Sequence, residues 1–92
     1  MADILEFPKP EPLWRDVLGE KLRAARTGRG ETLTETAERA GISPQYLSEI
    51  ERGRKEPSSE MIAAVAGALG TSLSELAGDV ARELSGATLL AA

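Results

Sequence analysis

The residues that could do chemistry crowd into one stretch, SPQYLSEIERGRKEPSS, from Ser43 to Ser59. It holds an amide (Gln45), hydroxyls (Ser48, Ser58), carboxylates (Glu49, Glu51) and then three cations, Arg52, Arg54 and Lys55. The 92-residue chain has no histidine and no cysteine. That excludes a disulfide framework, a thiolate metal site, a Ser-His hydrolase and a Cys-His nucleophile. The carboxylates fall on solvated helix faces or in helix caps, and no glycine loop suits a phosphate cofactor. No enzyme and no cofactor is expected. What remains is hydrogen bonding and charge, the chemistry of recognition.

Charge is unevenly placed. The chain is acidic, with a formal net charge of −4. Residues 21–55 nevertheless carry eight basic against five acidic side chains, while residues 1–20 carry two against five and residues 56–92 one against five. Local charge, not net charge, sets the potential at a binding face. The middle is basic and the ends are acidic.

The elements that must position these groups are helices. With 41% hydrophobic residues but 3% aromatic, the core must come from Leu, Ile, Val and Ala of one small domain. Residues 1–12 hold Pro8, Pro10 and Pro12, which forbid a helix and favour an extended arm. Leu13–Thr27 reads as a helix with Val17, Leu18, Leu22 and Ala25 in a stripe. Thr32–Glu35 is a capping box that opens a second helix, Leu33–Ala40, ended by Gly41. Ser43 and Pro44 cap a third that ends near Arg52, with Ile42 and Leu47 placed as a hydrophobic staple. A fourth, Ser59–Leu69, turns Met61, Ile62, Val65 and Leu69 inward. Ser72–Glu75 caps a fifth, with Leu73, Leu76, Ala77, Val80 and Leu84 in register as far as Ser85. The fold class is all-α: an arm at 1–12, a five-helix domain at 13–85 and a tail at 86–92. No apolar run approaches the roughly 18 residues that cross a membrane. The acidic, proline-broken start does not suit a signal peptide. A cytoplasmic protein without a membrane partner is expected.

The second and third helices are joined by a short turn with a glycine, the shape of a helix-turn-helix. Ala37 is small where the helices cross, Gly41 suits the turn, and Leu47 and Ile50 face inward. From Leu18 onward the chain resembles the Cro/repressor-type (Xre-like) helix-turn-helix family. Within it, YLSEIERGRKEPSSE resembles the Clp gene regulators of actinobacteria, which control genes for ATP-dependent proteases.

This resemblance implies a transcription regulator that binds double-stranded DNA as a homodimer. It puts the outward face of the third helix in the major groove, so Pro44, Gln45, Ser48 and Glu49 are the expected base contacts. Gln45 can pair bidentately with adenine, and Glu49 can accept from a cytosine amino group. Arg52, Arg54 and Lys55 are expected on backbone phosphates. Tyr46 adds its hydroxyl, and Thr32, Leu33 and Ser58 add the starts of two helices. Glu51 does not fit the reading face; by resemblance it pairs with Arg26 of the first helix as a structural ion pair. The terminal Leu90-Ala91-Ala92 resembles bacterial degradation tags and is a candidate signal for a Clp protease as partner. Two alternatives share the fold: a protein-binding adaptor and an antitoxin. Salt-dependent binding to random duplex separates a regulator from an adaptor.

Overall fold

The computed structural model describes residues 13–91, with side chains as far as residue 86. The expected arm, residues 1–12, and Ala92 of the candidate degradation signal lie outside the described residues. Five helices follow in order: α1 Trp14–Gly28, α2 Leu33–Ala40, α3 Pro44–Glu51, α4 Ser59–Ala68 and α5 Leu73–Ala91. There is no strand among the described residues. No single helix among them is long and apolar enough to cross a membrane.

α2, α3, α4 and α5 each start where a side chain satisfies backbone donors left bare by the first turn, while α1 follows Leu13 with no side-chain cap. Thr32 Oγ1 accepts the Glu35 amide at 3.1 Å and the Glu35 carboxylate accepts the Thr32 amide at 2.9 Å, a complete capping box. Ser43 and Ser58 accept the amides of Tyr46 (3.0 Å) and Met61 (3.2 Å). At Ser72 the exchange is one-sided. Its hydroxyl accepts the Glu75 amide at 3.1 Å, while the Glu75 carboxylate takes the hydroxyls of Thr71 and Ser72. Gly41, at φ 77°, makes the left-handed step between α2 and α3.

α1 packs on α3 and α5, α2 packs on α3 and α4, and α4 packs on α5. The core is Val17, Leu18, Leu22, Ala37, Leu47, Ile50, Ile62, Val65, Ala66, Leu69, Leu76 and Val80. Trp14, Ile42, Tyr46, Leu73 and Leu84 are partly buried against it. Two expectations are corrected. Met61 is only half-buried, and Ala66 takes the inward place, because the buried row of α4 is Ile62, Val65, Ala66 and Leu69. α5 does not stop near Ser85 but runs to Ala91. Gly86 costs a helix about 1 kcal/mol, and the alanines and leucines that follow are strong helix formers.

Gly19 marks a close approach of two backbones. A Cβ there would meet the carbonyl oxygens of Ile50 and Glu51 at 2.5 Å each. Only a bare Cα lets α1 lie against the end of α3. Nearby, the Arg15 Nε donates to the Gly53 carbonyl at 2.9 Å. α1 thus fixes both the last turn of α3 and the loop that follows.

Candidate nucleic-acid interface

The period of α3 divides its side chains. Leu47 and Ile50 are buried to 1% or less, which leaves Pro44 and Gln45 exposed at the start of the helix. Glu49 is half-buried, and Tyr46 lies partly against the core. Ser48, about one turn on from Gln45, is half-buried. It lines an open cleft of about 200 Å³ with Arg23 and Arg26 of α1, Leu33 of α2, and Glu51 and Arg52.

Glu51 is held as one half of a fork-to-fork pair. Arg26 Nε reaches Oε2 at 2.7 Å and Nη2 reaches Oε1 at 3.0 Å. The side chains are 12% and 5% exposed. A third donor, Arg26 Nη1, goes to the Glu31 carbonyl at 2.8 Å. The hydrogen bond to Glu51 raises the Arg26 pKa against its own desolvation. The pair ties α1 to α3 across the cleft floor and turns the Glu51 charge away from α3's outer face.

Glu31 is a second hub, and no pattern in the sequence marks it. Its carboxylate accepts from the Thr36 hydroxyl at 2.8 Å, from Arg29 Nε at 3.0 Å and from Arg39. Arg39, then the Thr36 hydroxyl and Arg29, hold its pKa down at about 2. Arg39 also donates to the Ala68 carbonyl at 2.8 Å and Arg29 to that of Leu69 at 3.5 Å, where α4 presents unpaired carbonyls. On the far side of α1, Lys21 reaches Glu83 of α5 at 2.8 Å, and that hydrogen bond raises the Lys21 pKa.

The remaining cations are free. Arg23, Arg52, Arg54 and Lys55 are exposed, and their side chains make no ion pair or hydrogen bond among the described residues. Gly53, buried with φ 72°, bends the chain between Arg52 and Arg54. The Thr32 hydroxyl and amide are engaged in the capping box, and the Ser58 hydroxyl caps α4. Leu33, the first residue of α2, keeps an N–H with no intrahelical partner. Leu90 and Ala91 are described only as helical backbone. No group of three or more acidic residues that could hold a metal ion occurs among the described residues.

Known proteins share this arrangement. The chain is 55% identical over 62 residues to "Transcriptional regulator ClgR" of Mycobacterium tuberculosis, covering 67% of this chain and 55% of that one. It is 42% identical over 62 residues to "Immunity repressor protein" of Bacillus phage phi105, covering 67% and 43%. It therefore spans about half the length of these curated relatives. Two crystal structures of the clp gene regulator ClgR from Corynebacterium glutamicum superpose on it. One has a TM-score of 0.79 at 47% identity, over 88% of this chain and 86% of that one. The other has 0.75 at 51%, over 82% and 96%. The helix-turn-helix family model matches residues 22–76, from the middle of α1 into α5, and with it the chain belongs to the Xre-like helix-turn-helix family.

Proposed function

We propose that this protein is a sequence-specific, DNA-binding transcription regulator, that it acts on genes of Clp-type proteases, and that it binds as a two-fold dimer. The observation that carries this is the division of α3. Its inner face is pinned by Leu47, Ile50 and the Arg26–Glu51 pair, while Gln45 stands exposed and unpaired cations lie on α1 and at and after the end of α3. A rigid helix with a bare amide at its start can enter a major groove, and cations beside it can meet the flanking phosphates. Relatives named as a transcriptional regulator and as a clp gene regulator support the choice of genes. One motif reads few base pairs, so two copies on half-sites about 34 Å apart supply the rest of the recognition.

The test is selection of genomic fragments bound by the purified protein, with affinity measured on the enriched fragment and on random duplex at several salt concentrations. The expected result is a palindromic site near Clp protease genes, and affinity for both duplexes falling steeply with salt. Binding to no duplex at low salt overturns the assignment and leaves a protein-binding adaptor.

A further inference from the structure

The cleft beside α3 has a charge surplus that the fold does not use. Three arginines line it, Arg23, Arg26 and Arg52, with one carboxylate, Glu51. Glu51 neutralises Arg26 through two hydrogen bonds of 2.7 and 3.0 Å. Arg23 and Arg52, from different helices, have no partner of their own among the described residues. Ser48, which carries a hydroxyl, and Leu33, the first residue of α2, complete the lining. The cleft is open to solvent along the side of the reading helix, so a strand passing that helix meets it.

We infer that this cleft seats one phosphate of the DNA backbone, gripped from two sides by Arg23 and Arg52 with the Ser48 hydroxyl between them. The inference rests on the DNA-binding function proposed above and adds two assignments to it. Arg23, on α1 and outside the helix-turn-helix itself, is a phosphate contact. Ser48 belongs to the backbone-positioning set and not to the base-reading set. The Arg26–Glu51 pair is the floor of the seat: it holds the arginine-lined walls of α1 and α3 at a fixed separation.

The experiment compares Arg23→Gln, Arg23→Lys and Arg82→Gln with the parent on random duplex from 50 to 200 mM salt. Arg82 serves as control because it removes the same charge from α5, a helix that packs on α1 and α4. Arg23→Gln should lower the salt slope by about 0.9 and weaken binding at 0.1 M salt roughly eightfold, the size of one lost phosphate contact. Arg23→Lys should keep most of the slope, and Arg82→Gln should leave it unchanged. Arg23→Gln and Arg23→Lys should melt with the parent, since the Arg23 side chain makes no ion pair or hydrogen bond among the described residues, and Arg82→Gln should lose no more than its exposed pair with Asp79. Ser48→Ala should leave the preferred base at every position of a selected site unchanged. If the parent binds duplex and Arg23→Gln keeps its slope, or if Arg82→Gln loses as much, the seat is wrong and DNA binding stands. A changed base preference in Ser48→Ala returns that residue to the reading face and removes it from the seat. If the parent does not bind duplex at all, the functional proposal itself has failed.

Discussion

Replacing Arg26 by alanine should unfold this protein at far lower temperature, and the size of the effect can be worked from its contacts. Three hydrogen bonds disappear together, two to the Glu51 carboxylate and one to the Glu31 carbonyl. The larger cost is the carboxylate left behind, on a side chain only 5% exposed. Breaking such a pair from one side costs about 3–5 kcal/mol. The ordered part of the chain should have about 4–12 kcal/mol of stability in total. For a domain of this size each kcal/mol moves the melting temperature by about 4–8 °C. Arg26→Ala should therefore melt at least about 12 °C below the parent, followed by circular dichroism at neutral pH. The paired variant Arg26→Met with Glu51→Met removes both charges and fills the space. It should recover most of the loss, because the penalty comes from the unpaired charge and not from the missing bridge. A shift under about 3 °C for Arg26→Ala, or a double variant as unstable as the sum of its parts, would refute this reasoning. An unchanged melt with DNA binding lost would move Arg26 to the interface.

Gln45→Ala should weaken binding to a selected site by about 1–3 kcal/mol and relax one position in each half-site; an unchanged preference in a repeated selection removes its base contact. Arg54→Ala and Lys55→Ala should each weaken binding to all sequences alike and lower the salt slope by about 0.9; a loss confined to one sequence points to base reading instead. Gly19→Ala drives a methyl group into two backbone carbonyls at 2.5 Å. It should cost about 3 kcal/mol or more in urea titration, and a neutral result shows that α1 can lift from α3 freely. Glu31→Gln tests the second hub through pH. Its carboxyl is held at about 2 instead of 4.5, so its contribution is complete above about 4.5 and fades as pH falls toward 2. The stability gap between parent and variant should narrow over that interval, and a gap independent of pH contradicts the ionic network.

The helix starts were legible because capping is local chemistry. Thr32 with Glu35, and Ser43 with Pro44, declare their structure within four residues. The steep crossing of α2 and α3 was legible for the same reason, from Ala37, Gly41, Leu47 and Ile50. What could not be read was fixed by distant partners. Gly19 lies inside a helix, where glycine alone signals only weakness; its purpose appears when the carbonyls of Ile50 and Glu51 arrive against it. Glu31 looks like a loop residue before a cap, yet it gathers Arg29, Thr36 and Arg39 because α2 and α4 close around it. At the candidate site the same rule holds. The exposure of Pro44 and Gln45 follows from the period of α3. The cleft that Ser48 and Arg52 line needs α1 and α2 beside it.

The placement of charge now has a physical account at the level of single residues. Cations that meet backbone phosphates bind every sequence alike and add affinity without selectivity. α3 has none before its C-cap Arg52 and two carboxylates instead. The cost of those carboxylates near a polyanion is handled differently for each. Glu51 is neutralised and buried by Arg26. Glu49 remains half-buried on the helix; on the proposed function it penalises sites that offer it no donor. On the proposed function, affinity is then left to Arg52, Arg54 and Lys55, placed around the Gly53 turn, and to Arg23 on α1. Arg15 holds the Gly53 carbonyl at 2.9 Å, and Gly19 and Arg26 hold the end of α3, so these cations share one rigid frame with Gln45. On this arrangement a perturbation of α1 should act on register rather than on charge. Loosening α1 from α3 lets the phosphate contacts survive while the amide of Gln45 drifts off its base, so discrimination should fall before affinity does.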